Sequence, residues 1–258
     1  MHYYVNYSEE FPVNKTNKIL SAVVFWLALW WVLALLTASE LLLPSPGATV
    51  RRLLTLLPTG AFWLTVGTTL LRILCGAVAG VVLGTLLAVL TCRFSLLRTL
   101  FDPLLTVIKS TPVVSVIILL LVWLGRGILP SVVVVLMVVP PVWSNVSAGI
   151  EGTDPLLLQM AKTYRFPRAR VLRRIYLPSV LPHFLAACRS ALGLAWKSGV
   201  AAEVLTVPAI SIGKKLADSK SYMETLDLFA WTLVVILCSL AIEKLLMAAM
   251  ERIGGGKR

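Results

Sequence analysis

The sequence has few charged residues, and this shortage excludes an ordinary soluble domain. Only 14% of its 258 residues are charged, whereas about 25% are charged in typical soluble domains. Hydrophobic residues make up 58%. They form runs of about 20 residues, the length that a helix needs to cross the hydrocarbon core of a membrane. The composition therefore predicts a membrane protein with several spans.

Residues that build metal sites and common catalytic centres are also scarce. The sequence has two histidines and four cysteines, without the spacing of a zinc site or a disulfide framework. It contains no GxxxxGK[ST] phosphate-binding loop and no HExxH or GxSxG motif. We therefore expect no catalytic residue, no metal and no cofactor bound by this chain. The cysteines are expected to be free and buried as small hydrophobic side chains.

Acidic residues are outnumbered by basic ones, 12 against 24. In a soluble protein this excess would suggest a nucleic-acid partner. Here the basic residues lie mainly between the apolar runs, so we expect no nucleic acid. With both termini in the cytoplasm, 14 basic residues fall in inner segments, six in outer segments and four within spans. Because basic loops favour the cytoplasmic side, we predict this orientation.

Six apolar runs predict six transmembrane helices in an all-α, polytopic bundle. These runs are residues 19–37, 62–90, 104–124, 128–150, 183–205 and 228–249. Residues 1–18 are expected to be a cytoplasmic tail, residues 19–250 one membrane domain, and residues 251–258 a second cytoplasmic tail. A short surface helix is expected around residues 48–57.

The second, third and fourth runs contain features that bear on packing or on a path through the membrane. Gly76, Gly80 and Gly84 recur every four residues, which favours close packing of another helix over a permeation surface. Prolines interrupt the third and fourth runs beside polar side chains. Such breaks often mark the substrate path of transporters, although a packing kink is an equally good interpretation. The pathway candidates here are Lys109, Thr111, Pro112, Ser144 and Asn145.

The fifth run is rich in small residues and holds two ionisable ones, Lys197 and Glu203. They lie about 240° apart around a helix and cannot pair within it. Since a charge inside the membrane is unfavourable, Lys197 should face either a partner residue or a cavity with an anionic solute. Lys197 and Ser198 are therefore further pathway candidates. Glu203 is expected to order the outer loop, while Arg72 and Arg189 are expected to be structural.

The polar segment 151–182 is strongly basic, with six Lys and Arg against two acidic residues. Asp154 is placed to cap a short helix that has Pro155 in its first turn. The apolar positions that follow at helical spacing are Leu156, Leu157, Met160 and Tyr164. An exposed apolar stripe of this kind needs a partner groove. We therefore predict a docking helix over residues 154–164.

This segment resembles the EAA loop of the permease subunits of ATP-binding-cassette importers, in which Glu-Ala-Ala is followed by a glycine and then by Leu-Pro. The matching positions are Ala161, Leu177 and Pro178, and the departures are Gln159, Met160 and Arg165. Residues 60–250 also resemble the sulfonate, nitrate and taurine subfamily of these permeases. The supporting motifs are Asp102-Pro103-Leu104-Leu105, Thr111-Pro112, Gly193-Leu194-Ala195, Ala202-Glu203 and Ile212-Gly213.

The resemblance implies a type I importer permease in the bacterial plasma membrane. It implies a homodimer in membrane lipid, with cytoplasmic ATPase subunits that bind ATP and Mg, an extracytoplasmic solute-binding protein, and a small anion as solute. The helix at 154–164 would be the coupling helix. Its docking residues would be Asp154, Leu156, Leu157, Gln159, Met160, Ala161, Tyr164 and Arg165.

Two other functions are kept open. An ion-coupled carrier or channel would use Lys197, Lys109 and Glu203 and would need no ATPase, but it leaves the basic segment unexplained. A membrane scaffold without transport activity leaves the paired helix breaks without a role.

Overall fold

A computed structural model describes residues 15–37 and 39–254, with side chains described for residues 20–37 and 39–248. This part of the chain is helical and has no β-strand, which confirms the predicted all-α class. The helices are α1 (Lys15–Thr37), α2 (Pro46–Leu56), α3 (Gly60–Arg93), α4 (Ser95–Ser110), α5 (Val113–Leu120), α6 (Leu129–Glu151), α7 (Pro155–Thr163), α8 (Arg168–Val171), α9 (Leu177–Thr206), α10 (Ile212–Ser221) and α11 (Thr225–Gly254). A π-helical turn, Leu172–Tyr176, connects α8 to α9 without a break.

Four described helices, α1, α3, α6 and α11, are long and apolar enough to cross a membrane. The pair α4 and α5 bends by 105° at Thr111 and Pro112 and could form a fifth, broken span. The predicted third span, residues 104–124, is therefore not one straight helix. Helix α9 has 30 residues but is not among the four. A bundle with several spans is confirmed, whereas the count of six is not.

Parts of both predicted tails are helical. Residues 15–18 belong to α1 and residues 251–254 belong to α11, because both helices extend beyond their most apolar segments. The rest of both tails lies outside the described residues. The surface helix expected around residues 48–57 is α2, which is capped by the Ser45 side chain and begins at Pro46.

Helices α3, α6 and α9 form the centre of the bundle, and the glycine ladder of α3 brings α3 against α6. A Cβ atom on Gly80 would lie 2.7 Å from Val138 Cβ, and one on Gly76 would lie 2.8 Å from the Ser131 carbonyl oxygen. One on Gly84 would lie 2.9 Å from the Val139 carbonyl oxygen. The ladder is therefore a packing surface, as the spacing predicted.

The buried carboxylate of Glu203 fixes the loop that follows α9. It pairs with the Arg72 guanidinium, accepts a hydrogen bond from Thr69 Oγ1 at 2.9 Å, and accepts another from the Gly213 N–H at 3.3 Å. Thr69 Oγ1 also accepts from the Ile212 N–H at 2.9 Å. This network holds the start of α10 against α3 and α9. Glu203 thus orders the loop, as predicted, and its side chain is fully buried.

A second ion pair lies at the same end of the bundle, which we call the α10 end; the opposite end is the α7 end. The Arg52 guanidinium of α2 pairs with Asp227 at the start of α11, and the hydrogen bond to Asp227 raises the pKa of Arg52. Helix α1 lies at the periphery, where the Trp30 indole N–H donates to the Pro44 carbonyl oxygen at 3.2 Å. The two short helices at the α10 end, α2 and α10, are thus fixed by side-chain contacts.

We predict that Gly80→Ala lowers the free energy of unfolding by about 1–3 kcal/mol, because the new methyl group overpacks the contact with Val138. Gly67→Ala is the matched control. Gly67 lies on the same helix, and its Cβ position has nothing within 4 Å. Thermal unfolding of the purified proteins in one detergent makes the comparison. Equal stability of the two variants would contradict the close packing of α3 on α6.

We predict that Glu203→Leu lowers the free energy of unfolding by about 3–5 kcal/mol, because it leaves the Arg72 guanidinium without its carboxylate. The double variant Arg72→Met/Glu203→Leu should recover much of this loss, since the unpaired charge is removed as well. Glu243→Leu replaces an exposed acidic residue and serves as control. If the double variant is as unstable as the single one, the ion pair is not the source of the stability.

Candidate functional site

Helix α7 begins as the sequence predicted. The Asp154 carboxylate accepts a hydrogen bond from the Leu156 N–H at 2.8 Å, and Pro155 occupies the first helical position. Both features stabilise a helix start, because they satisfy or remove backbone donors that have no partner within the helix. The helix ends at Thr163. It is therefore a separate, capped element between α6 and α8.

The apolar stripe of α7 is exposed. Leu156 and Tyr164 are 69% and 72% exposed, and Leu157 and Met160 are 41% exposed each. Gln159 is exposed as well. Ala161 differs, since it is only 3% exposed and therefore faces the rest of the chain. The apolar stripe is therefore exposed on one side of α7, and Ala161 is buried against the rest of the chain.

The turn after α7 is made at Arg165. Its φ of 49° lies in the left-handed region, and the Phe166 N–H donates to the Ala161 carbonyl oxygen at 2.8 Å. This geometry ends many helices, and glycine adopts it most easily. The EAA pattern has glycine at this position, so Arg165 takes the glycine conformation with a charged side chain. Pro167 precedes the first residue of α8 and does not form the turn.

The segment that contains the stripe also carries exposed basic side chains. All six basic residues of the segment are exposed, and none forms an ion pair within the described part of the chain. The Arg170 guanidinium lies 5.2 Å from the centre of the Phe166 ring. The α7 end therefore combines an apolar stripe with unneutralised positive charge. The basic residues are Lys162, Arg165, Arg168, Arg170, Arg173 and Arg174.

The two proline-linked clusters meet where α4 ends beside α6. The exposed Lys109 ammonium lies 5.7 Å from the centre of the Trp143 ring. Thr111 and Pro112 form the bend itself, and the Thr111 hydroxyl donates to the Val107 carbonyl oxygen at 2.7 Å. In α6, Ser144 and Asn145 are half-buried, and Asn145 Nδ2 donates to the Pro141 carbonyl oxygen at 2.8 Å. Among these five pathway candidates, Lys109 is the one with a charged side chain.

Lys197 lies in a polar cleft of about 170 Å³ between α9 and α11, which we call the α9–α11 cleft. Arg189, Ser239 and Glu243 also line it. Lys197 and Arg189 are exposed, and neither forms an ion pair with any described residue. Ser198 does not belong to the cleft. It is buried, and its hydroxyl donates to the Leu194 carbonyl oxygen at 2.8 Å.

Sequence reasoning missed Arg189 as a member of this cleft. The sequence does contain a signal for Arg189. A spacing of four residues places Arg189, Gly193 and Lys197 on one helix face, so Arg189 could have been predicted to lie beside Lys197. Ser239 and Glu243 reach the cleft because α11 packs beside α9, and no local sequence pattern predicts this packing. Within the described residues, no group of His, Cys, Asp and Glu could hold a metal ion.

The four cysteines are free, as predicted, but they are not buried. Cys75 is exposed, and Cys92, Cys188 and Cys238 are half-buried. Cys75 lies on the face of α3 opposite to the buried side chains of Ile73 and Ala77. Exposed apolar side chains are common on the outer surface of a protein and need no special explanation. The expectation of buried cysteines is therefore wrong.

Comparisons with known proteins agree with this architecture. The profile of the family described as "Binding-protein-dependent transport system inner membrane component" matches residues 80–255, more than half of the chain. The taurine transport system permease protein TauC of Escherichia coli K12 is 26% identical over 234 residues, which cover 88% of this chain and 85% of TauC.

Two further relatives have other solutes in their names. The putative aliphatic sulfonates transport permease protein SsuC of Bacillus subtilis 168 is 26% identical over 218 residues, which cover 84% of this chain and 78% of SsuC. The formylaminopyrimidine transport permease protein ThiX of Halalkalibacterium halodurans is 28% identical over 187 residues, which cover 71% of this chain and 74% of ThiX. The chain therefore belongs to the family of binding-protein-dependent transport system inner membrane components: it is a multi-pass plasma-membrane permease subunit of an ATP-binding-cassette importer, and a separate subunit hydrolyses ATP.

Proposed function

We propose that the chain forms a homodimer that transports a small anion, such as a sulfonate, and that α7 is the coupling helix that docks to the ATPase. The exposed apolar stripe of α7 is the observation that carries this proposal. A capped helix with uncovered leucine, methionine and tyrosine side chains needs a groove on a partner. Arg165, Arg168 and Arg170, which are exposed and follow the stripe in sequence, suit an acidic rim on that groove.

The connections of α7 explain how movement of the ATPase would reach the membrane. Only residues 152–154 separate α7 from α6, and α8 continues through the π-helical turn into α9. Helix α3 is packed tightly on α6. Closure of the ATPase pair around ATP and Mg would therefore move α3, α6 and α9 of each copy as one body. Such a rigid-body rotation opens the pathway alternately to the two sides of the membrane.

The charge distribution supports an orientation with the α7 end in the cytoplasm and with both termini on that side. The basic segment lies at the α7 end, and basic loops favour the cytoplasm. The α10 end would then face the solute-binding protein. Lys215 and Lys220 are exposed on α10 and would suit acidic residues of that partner. The Glu203 network holds α10 firmly enough to serve as a contact surface.

An anionic solute is favoured by the α9–α11 cleft. Lys197 and Arg189 outnumber Glu243 there, and unpaired cations at membrane depth need an anion, water or a partner. Relatives of this chain carry taurine and aliphatic sulfonates in their names, and both are sulfonates. ThiX, named for formylaminopyrimidine, makes a neutral pyrimidine the second candidate. The carrier hypothesis loses one of its groups, because Glu203 is buried and paired with Arg72.

We predict that Leu157→Asp reduces solute uptake more than tenfold while the ATPase still hydrolyses ATP. A carboxylate in an apolar docking groove loses far more than the 1.4 kcal/mol that corresponds to a tenfold change. Uptake into proteoliposomes and ATP hydrolysis are measured on the assembled transporter. Recovery of the chain in the membrane fraction shows that it still folds.

Lys162→Asp is the matched control for docking. It introduces the same carboxylate about 140° around the helix from Leu157, away from the stripe. This variant should retain most of the uptake. Normal uptake by Leu157→Asp, or equal loss in both variants, would contradict docking through the stripe.

We predict that Lys197→Met reduces taurine uptake about tenfold or more, since a hydrogen bond to a charged group contributes about 1.5–3 kcal/mol. Lys197→Arg should retain much of the activity, because it keeps the charge. The affinity of the binding protein for taurine, measured separately, should stay unchanged. This places any loss in the membrane subunit.

Lys244→Met controls for loss of charge on α11, because Lys244 is exposed but does not line the cleft. It should leave uptake unchanged. Unchanged uptake in Lys197→Met would contradict a role in the pathway. If the parent transporter accumulates formylaminopyrimidine but neither taurine nor an alkanesulfonate, the proposed solute class is wrong.

A further inference from the structure

A second groove lies at the α7 end, between α3, α6 and the start of α9, and we call it the α3–α6–α9 groove. It encloses about 360 Å³ and its walls are almost entirely apolar. Along α3 it extends from Thr85 to Arg93, a length of about 12 Å at 1.5 Å per residue. Its other walls include Val146, Ile150, Tyr176 and Val180.

Two arginines, one lining this groove and one next to a lining residue in sequence, are not neutralised by the described part of the chain. Arg93, the last residue of α3, lines the groove, and Arg173 lies in the π-helical turn between Leu172 and Tyr176, which also line it. Both arginines are exposed, and neither guanidinium forms an ion pair or a hydrogen bond with a described residue. The Tyr176 hydroxyl has no hydrogen-bond partner there either.

We propose that the α3–α6–α9 groove binds one anionic phospholipid of the leaflet on the α7 side. An acyl chain lies along α3 beside Val89, and the headgroup phosphate lies at the rim. Arg93 and Arg173 neutralise the phosphate, and the Tyr176 hydroxyl donates a hydrogen bond to it. The apolar walls match the acyl chain of a phospholipid, and the basic rim matches its phosphate.

Other occupants fit the groove less well. An extended segment of a soluble partner could not hydrogen-bond its backbone in the apolar region beside α3, and a helix about 10 Å across is too wide for a slot of about 360 Å³. A second copy of the chain would have to bring an acidic side chain to the rim, since the two arginines would otherwise be buried without a counter-charge. A zwitterionic phospholipid would leave the two arginines without net neutralisation. The combination of walls and rim therefore favours an anionic lipid.

The test is native mass spectrometry of the full chain, purified in mild detergent and supplied with phosphatidylglycerol or phosphatidylcholine. The chain should retain phosphatidylglycerol in preference to phosphatidylcholine. Arg93→Gln and Arg173→Gln should each lower this retention about fivefold, which corresponds to about 1 kcal/mol per basic residue at an anionic surface. Val89→Trp should lower it as well, because the indole fills the slot while leaving every charge in place.

Arg126→Gln is the matched control, since Arg126 is exposed and lies outside the groove, between α5 and α6. It should retain phosphatidylglycerol like the parent chain. Equal loss in this control, equal retention of the two lipids, or unchanged retention in both arginine variants would overturn the proposal. So would a change of oligomeric state in the arginine variants without a change in bound lipid, since it would make a second copy the occupant. None of these outcomes depends on transport or on an ATPase.

Discussion

The close approach of α3 to α6 is the contact on which the rest of the structure depends. Lipid tails are as apolar as leucine, so helices in a membrane are held by dense van der Waals contacts more than by the hydrophobic effect. Gly76, Gly80 and Gly84 allow the valines of α6 to lie against the α3 backbone, and Gly199 allows Ile73 to pack against α9, since a Cβ atom on Gly199 would lie 2.7 Å from Ile73 Cγ1. The short helices, the ion pairs and the clefts all take their positions from this three-helix body.

The charged residues fall into two groups with different structural roles. The first group is paired: Glu203 with Arg72 and Asp227 with Arg52 hold short helices and loops against the body, and Arg98 of α4 pairs with Glu151 at the α7 end. The second group is unpaired within the described chain and faces outward, at the α9–α11 cleft, around α7 and at the rim of the α3–α6–α9 groove. Charges of the first group join separate elements of the fold, and those of the second have no charged partner within the described residues.

Much of this could be predicted from local patterns. The Asp154 cap and the glycine ladder depend on residues close in sequence, and the structure confirms both. Of the six apolar runs, four coincide with described helices that are long and apolar enough to cross a membrane. The prolines predicted the break at Pro112 but not its angle of 105°, and they predicted a break in α6 that is wrong, because α6 continues through Pro140 and Pro141. The helix α10 and the burial of Ala161 and Ser198 could not be predicted, because they depend on which distant elements pack together. The same is true of the α9–α11 cleft, which joins side chains from two helices.

The continuous path from α6 through α7 to α9 has a mechanical consequence. Helix α6, which precedes α7, and helix α9, into which α8 continues, both belong to the tightly packed body, so a force applied at α7 would reach that body at two points. Packed helices have few intermediate arrangements, so the body moves whole or not at all. Changes of shape would therefore occur at the boundaries of this body, and its three helices would move together as one rigid unit.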